Sequence, residues 1–295
     1  MRRVIGNAHR LLAILSLVGA LAGCHLSDPS EADVTKSEKR LAIAKDFLSK
    51  RQLEGAENET NRAIALNPRN DEAYNLRGLI NVLRAYETQR TLEVDGCLTG
   101  IDAEATHQDL DQFLKKADED FDRATKLSPD YGEAWSNRGV VHNLLDDYGS
   151  SVAYLSKALE HPFRLVNPGL TRAHLGWALF HQHKLVEAAK ELRQVKQFDP
   201  KMCVASYRLG RVYFERDEWE KAAELFEAVS NDPSCGSQEA SLYLMQTRMN
   251  QGLADEARTA RDACVKLAPQ SCIASQCRAN GGALGTVSPV PSGRP

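Results

Sequence analysis

Between Gly169 and Pro200 the apolar and small positions fall into two short periodic runs. Gly176 sits in the first and Ala188 in the second, twelve residues on; Leu192 and Val195 follow, and Pro200 closes the unit. Apolar residues three and four apart mark amphipathic helices, and a proline marks where such a helix stops. Small residues at Gly176 and Ala188 would let two antiparallel helices approach closely, while Leu192 and Val195 fill the seam to the next unit. The pattern recurs: Gly210 and Ala222 each stand 34 residues beyond Gly176 and Ala188. No stretch reads as a strand, so the pattern predicts an all-α chain.

A helix–turn–helix of about 34 residues that cannot bury its apolar face alone has the spacing of a tetratricopeptide repeat. Six such units are expected, at about 37–70, 71–131, 132–168, 169–202, 203–237 and 238–270, with a short capping helix at 271–279. They should stack as a right-handed superhelical solenoid. Ala44, Ala56 and Ala63 take the small positions of the first unit, and Ala134, Trp135 and Gly139 mark the third. The sixth is degenerate, with Met245 where the others carry glycine. In the second, 39 residues separate Gly78 from Ala117 where 12 are expected, so the unit carries an insert at about 84–112. A functional loop on one face of the array and a lengthened helix pair account for it equally well.

The chain begins with a basic MRRVIGNAHR, an apolar run of 13 residues and then Cys24. This reads as a signal peptide over 1–23, too short to span a membrane as a helix. Leu21-Ala22-Gly23-Cys24 resembles a bacterial lipobox, which implies diacylation of Cys24 and cleavage before it. Residues 24–36 then read as a flexible tether, and 280–295, rich in Gly, Pro and Ser, as a disordered tail. His25 after the lipidated cysteine favours outer-membrane sorting by resemblance to enterobacterial rules. The net charge of −3 becomes −6 once Arg2, Arg3 and Arg10 are removed, which argues against nucleic acid as a partner.

Six cysteines remain: Cys97, Cys203, Cys235, Cys264, Cys272 and Cys277. In an oxidising periplasm an even number points to disulfides, though six permit 15 pairings. Cys203 begins one helix of the fifth unit and Cys235 follows its partner, so antiparallel packing brings those ends together. Cys264 with Cys272 or Cys277 would staple the cap, leaving Cys97 whichever cysteine is over.

Convergent catalytic groups are not visible. His181 and His183 are two apart and diverge on a helix, so they cannot share a metal and are expected in solvent. The cysteines lack a paired zinc spacing. No enzymatic activity, metal, cofactor or small-molecule substrate is expected beyond the lipid on Cys24. What remains is the concave surface, built by positions 2, 5, 9 and 12 of each first helix. Its polar end holds Asn75, Leu79, Val140 and Asn143. Its aromatic end holds Trp177, Phe180, Tyr207, Phe214 and Leu242, with Arg211 as a charged anchor. Aromatic residues beside arginine are the composition of binding hot spots, and an extended or helical apolar segment is the ligand such a strip suits.

Lipobox, six repeats and periplasmic cysteines together resemble the type IV pilus pilotin lipoproteins, tetratricopeptide-repeat proteins of the outer membrane, most closely the Tgl-like branch related to PilF and PilW. DGCLTGIDAE, YGEAWSNRGVV, NPGLTRAHLGW, MCVASYRLGRVYF and RDACVKLAPQSCIASQCR carry the resemblance, over about residues 24–279. It implies an outer-membrane lipoprotein, on the periplasmic face, that binds subunits of the pilus secretin and promotes ring assembly for pilus biogenesis and motility. A lipid-anchored scaffold for another envelope complex, or for a peptidoglycan-associated machine, is the alternative.

Overall fold

The computed structural model describes residues 28–282; Cys24, the signal peptide and residues 283–295 lie outside them. Thirteen α-helices and no strand are found among the described residues. Six helix pairs follow in chain order: α1 (Glu31–Ser49) with α2 (Leu53–Leu66), α3 (Asp71–Arg90) with α4 (Gly100–Leu127), α5 (Gly132–Leu144) with α6 (Tyr148–Glu160), α7 (Pro168–His181) with α8 (Leu185–Phe198), α9 (Cys203–Glu215) with α10 (Trp219–Asn231), and α11 (Gln238–Asn250) with α12 (Ala254–Leu267). The last helix, α13 (Cys272–Gly282), packs on α11 and α12. The array is a tetratricopeptide-repeat solenoid.

Local chemistry sets these boundaries. Ser30, Asn70, Asp147, Asn167 and Ser237 each accept a backbone N–H of the turn they open, which satisfies a donor the helix cannot use itself. Five of the six pairs turn through a single left-handed residue: Arg51, Asp146, His183, Asp217 or Gly252. In each, the N–H of the next residue donates back to a carbonyl five positions earlier, as Lys184 does to Leu179 at 3.0 Å. That bond is the Schellman closure, which reverses the chain within one residue of the helix end.

The seam inside each pair depends on size. A Cβ at Gly78 would stand 2.6 Å from Phe121, and one at Gly176 would stand 2.7 Å from Leu192. Gly139 and Gly210 meet Leu155 and Phe226 in the same way. In the sixth unit Met245 occupies the glycine position and is itself fully buried, opposite a helix that offers Ala257 and Ala260.

The insert is a lengthened helix pair. α3 has 20 residues, a π-helical turn continues it over Thr91–Asp95, and α4 has 28; the paired helices of units three to six have 13 or 14. At 1.5 Å per residue the pair projects about 20 Å past its neighbours. Its tip is pinned. Cys97 is bonded to Cys272 at the start of α13, with Cα atoms 4.7 Å apart across 175 residues of sequence. The second unit is thereby joined to the C-terminal cap. The other two disulfides are local: Cys203–Cys235 in the fifth unit, and Cys264–Cys277 between α12 and α13.

Two expected boundaries are corrected. α1 starts at Glu31, capped by Ser30, so 31–36 are helix rather than tether. Ser37 is fully buried, donating to the Ala63 carbonyl at 2.8 Å and accepting from Asn70 at 2.9 Å, which ties this end into the body. At the other end α13 continues through Gly282, so 280–282 extend the cap and are not tail.

Candidate partner-binding groove

First helices pack on first helices across units (α3 on α5, α5 on α7, α7 on α9, α9 on α11), whereas second helices make no comparable contacts with one another. The first helices therefore line the inner side of the curve. At about 100° per residue, positions 2, 6 and 9 of a first helix share an arc of about 60°, while 5 and 12 lie about 40–60° beyond its edge, towards the neighbouring unit. Burial follows this geometry. Position 6 gives Asn137, His174, Arg208 and Tyr243 in units three to six, all only half-buried. Position 9 gives half-buried Leu79, Val140, Trp177 and Arg211.

Positions 5 and 12 account for the corrections to the expected strip. Phe180 and Leu242 are 6 % and 4 % exposed and pack between units. Asn75 and Asn143 are buried as well, used internally. Asn75 accepts from the Asn137 amide at 3.0 Å and donates to the Tyr131 hydroxyl at 3.2 Å, and Asn143 donates to the His174 carbonyl at 3.1 Å. Phe214, half-buried at the turn end, sits edge-on between Trp219 and Tyr243. Tyr207 is the one expected position-5 residue that stays half-buried on the wall. His181 is also corrected: it stacks on Tyr148 at 4.4 Å and meets Trp177 edge-on, whereas His183 is exposed.

The aromatic end is built around two arginines one helical turn apart on α9. Arg208 extends towards His174, with Nη1 to Nδ1 at 3.2 Å, and lies 5.4 Å from the Trp177 ring centre. Arg211 lies 3.8 Å over Tyr243, donates to the Tyr207 hydroxyl at 3.2 Å, and has a buried Nε with no partner. Burial pushes the Arg208 guanidinium down to about 10, against the pull of the Tyr86 and Tyr207 hydroxyls. Burial, then the Arg208 charge, holds His174 well below its ordinary value, so its ring is neutral and Nδ1 accepts from Arg208. Burial likewise pushes Tyr207 up to about 12.

A pocket of about 480 Å³ opens here, lined by Trp177, Val204, Tyr207, Arg208, Glu239 and, from the lengthened α3, Gln89. The insert thus contributes one residue to this lining. Sequence reasoning missed Arg208, His174 and Tyr243, although helical periodicity alone would have placed position 6 beside 2 and 9. Gln89 had no such signal, because only the folding back of the insert brings it here. The sole His, Cys, Asp and Glu group with metal-ligand proximity among the described residues is Cys203, Asp232 and Cys235, and its two sulfurs are bonded to each other.

Tetratricopeptide-repeat family profiles match residues 112–164 and 204–234. No curated protein matches the chain. Among solved structures, PilW, described as a widely conserved type IV pilus biogenesis factor, is 18% identical with a TM-score of 0.65, over 81% of this chain and 97% of that one. PilF of Pseudomonas aeruginosa is 12% identical with a TM-score of 0.63, over 85% of this chain and 100% of that one. The APC/C hetero-tetramer Cut9–Hcn1 provides a chain of equal TM-score, 0.65, at 12% identity, of which 43% is covered. At such identities the likeness is one of fold: the chain is similar to these proteins as a tetratricopeptide-repeat solenoid.

Proposed function

We propose that the chain is an outer-membrane lipoprotein that binds secretin subunits and promotes their assembly into the ring used by type IV pili. The observation that carries this reading is the inner wall at Trp177, Tyr207, Arg208 and Arg211, with Gln89 of the disulfide-pinned insert reaching the pocket beside Arg208. It is a binding surface of aromatic residues and arginine, the hot-spot composition for a protein partner. The fold likeness to PilW and PilF, spanning nearly the whole of both, supports the choice of pilus machinery. A lipid on Cys24 would confine the captured subunit to the membrane surface and raise its effective concentration for ring formation.

The test is an immunoblot of heat-resistant secretin multimer against monomer in cells lacking the gene and in cells carrying Cys24→Ala. Multimers are expected to be lost in both. Loss in the deletion alone would keep the secretin reading and make the anchor dispensable. Unchanged multimers in both would overturn the reading and favour a scaffold for another envelope complex.

A further inference from the structure

Every other half-buried arginine among the described residues has a carboxylate oxygen 2.5–2.9 Å from its guanidinium. Arg208 and Arg211 have none. Their polar contacts are a neutral histidine nitrogen and a tyrosine hydroxyl, and the Arg211 Nε makes no hydrogen bond at all. A guanidinium keeps its charge in proteins, and taking a charge from water without a counter-charge is costly. The fold nevertheless holds both charges one helical turn apart: Arg208 lines a pocket large enough for a ligand with Trp177 and Tyr207, and Arg211, hydrogen-bonded to the Tyr207 hydroxyl, lies over Tyr243. The nearest acid lining the pocket is Glu239, exposed at its mouth and paired with neither arginine.

We propose that Arg208 and Arg211 receive an acidic side chain of an otherwise apolar partner segment, whose flanking residues lie against Trp177, Tyr207 and Tyr243. This rests on the reading of the groove as a partner site and names the chemistry of the segment it holds. The arginine fork suits a carboxylate, and the aromatic rings suit the apolar neighbours of that residue. The source is an internal Asp or Glu. The first helices continue from this pocket through α7 and α5 to α3, with half-buried Val140 and Leu79 at the same helix position as Trp177, so a segment lying along that face passes through and presents side chains.

The experiment measures binding of fluorescent nonapeptides to the full-length protein. One is apolar with a central Asp between Phe and Leu and an amidated C-terminus; a second has Asn for Asp; a third has Asn and a free C-terminal carboxylate. The Asp peptide is expected to bind about tenfold more tightly than either Asn peptide. Arg208→Gln and Arg211→Gln should each abolish the difference, Arg208→Lys should keep part of it, and Arg193→Gln, an exposed site on α8, should keep all of it. Thermal unfolding checks each variant; if Arg208→Gln fails to fold, Arg211→Gln and Arg208→Lys decide. Equal affinities for Asp and Asn peptides, no binding by either at millimolar concentration, or a difference that survives both Gln variants would overturn the proposal. Tight binding of the free-carboxylate peptide would overturn the side-chain source. Secretin multimers lost on deletion alongside equal affinities would leave the assembly role and remove the anion site; the reverse pair of results would keep the anion site and remove the secretin.

Discussion

At the scale of single residues, contact distances decide more than residue type. Gly176 faces Leu192 so closely that any Cβ must displace it. Gly176→Ala should therefore destabilise the chain by about 1–3 kcal/mol in urea unfolding, as overpacked cores do. Adding Leu192→Ala should recover part of that loss, so the two effects will not sum; additive effects would mean the helices can part at no cost. His174 makes a second case. Its folded value is depressed, so its contribution to stability is present above the ordinary histidine value and is lost as pH falls through that value towards the folded one. His142 works the other way. Burial lowers it, but hydrogen bonds to Asp118 and Asp147 raise it more, so its contribution is present at acid pH and fades as pH rises. Between pH about 7.5 and about 5.5, either side of the ordinary histidine value, His174→Gln should lose less urea resistance than wild type. An identical loss would show that His174 takes its proton in the folded state.

Among elements, the lengthened α3–α4 pair has the largest influence on the site. A helix pair projecting about 20 Å beyond its neighbours would lose its packing partners along that length, yet its tip is bonded to the cap through Cys97 and Cys272. The π-helical turn Thr91–Asp95 also packs on α13. Removing a native disulfide commonly costs about 2–5 kcal/mol. Cys97→Ser should cost this much in denaturant without reductant and expose 91–99 to limited proteolysis, with the repeats themselves still helical. Unchanged protection of the tip would mean that the π-turn contacts hold it without the sulfur bond. The other disulfides span 32 and 13 residues and act within single units or their cap.

For the whole molecule, joining the second unit to the cap converts an open solenoid into one whose inner wall faces the insert. The pocket there is lined by the first helices of the fourth to sixth units and by Gln89 near the end of α3, with Arg208 among its lining residues. Charge and apolar surface share one pocket, so affinity there should depend on both. The paired peptides and the secretin immunoblot test this at the molecular and cellular levels.

The helix pairs and the small residues at each seam were legible in the chain alone, because these are properties of neighbours along it. The 34-residue spacing of Gly176 and Gly210 carried the fold. It also placed Trp177, Tyr207 and Arg211 on the inner side, since periodicity fixes which face a residue occupies. That Phe180 and Leu242 are buried between units was not legible in the sequence, because it depends on how far each unit rotates against the next. Folding alone joined Cys97 to Cys272 across 175 residues and brought Gln89 into the same pocket as Arg208. Those contacts are distant in sequence and leave no periodic trace, so the chain has to fold before they exist.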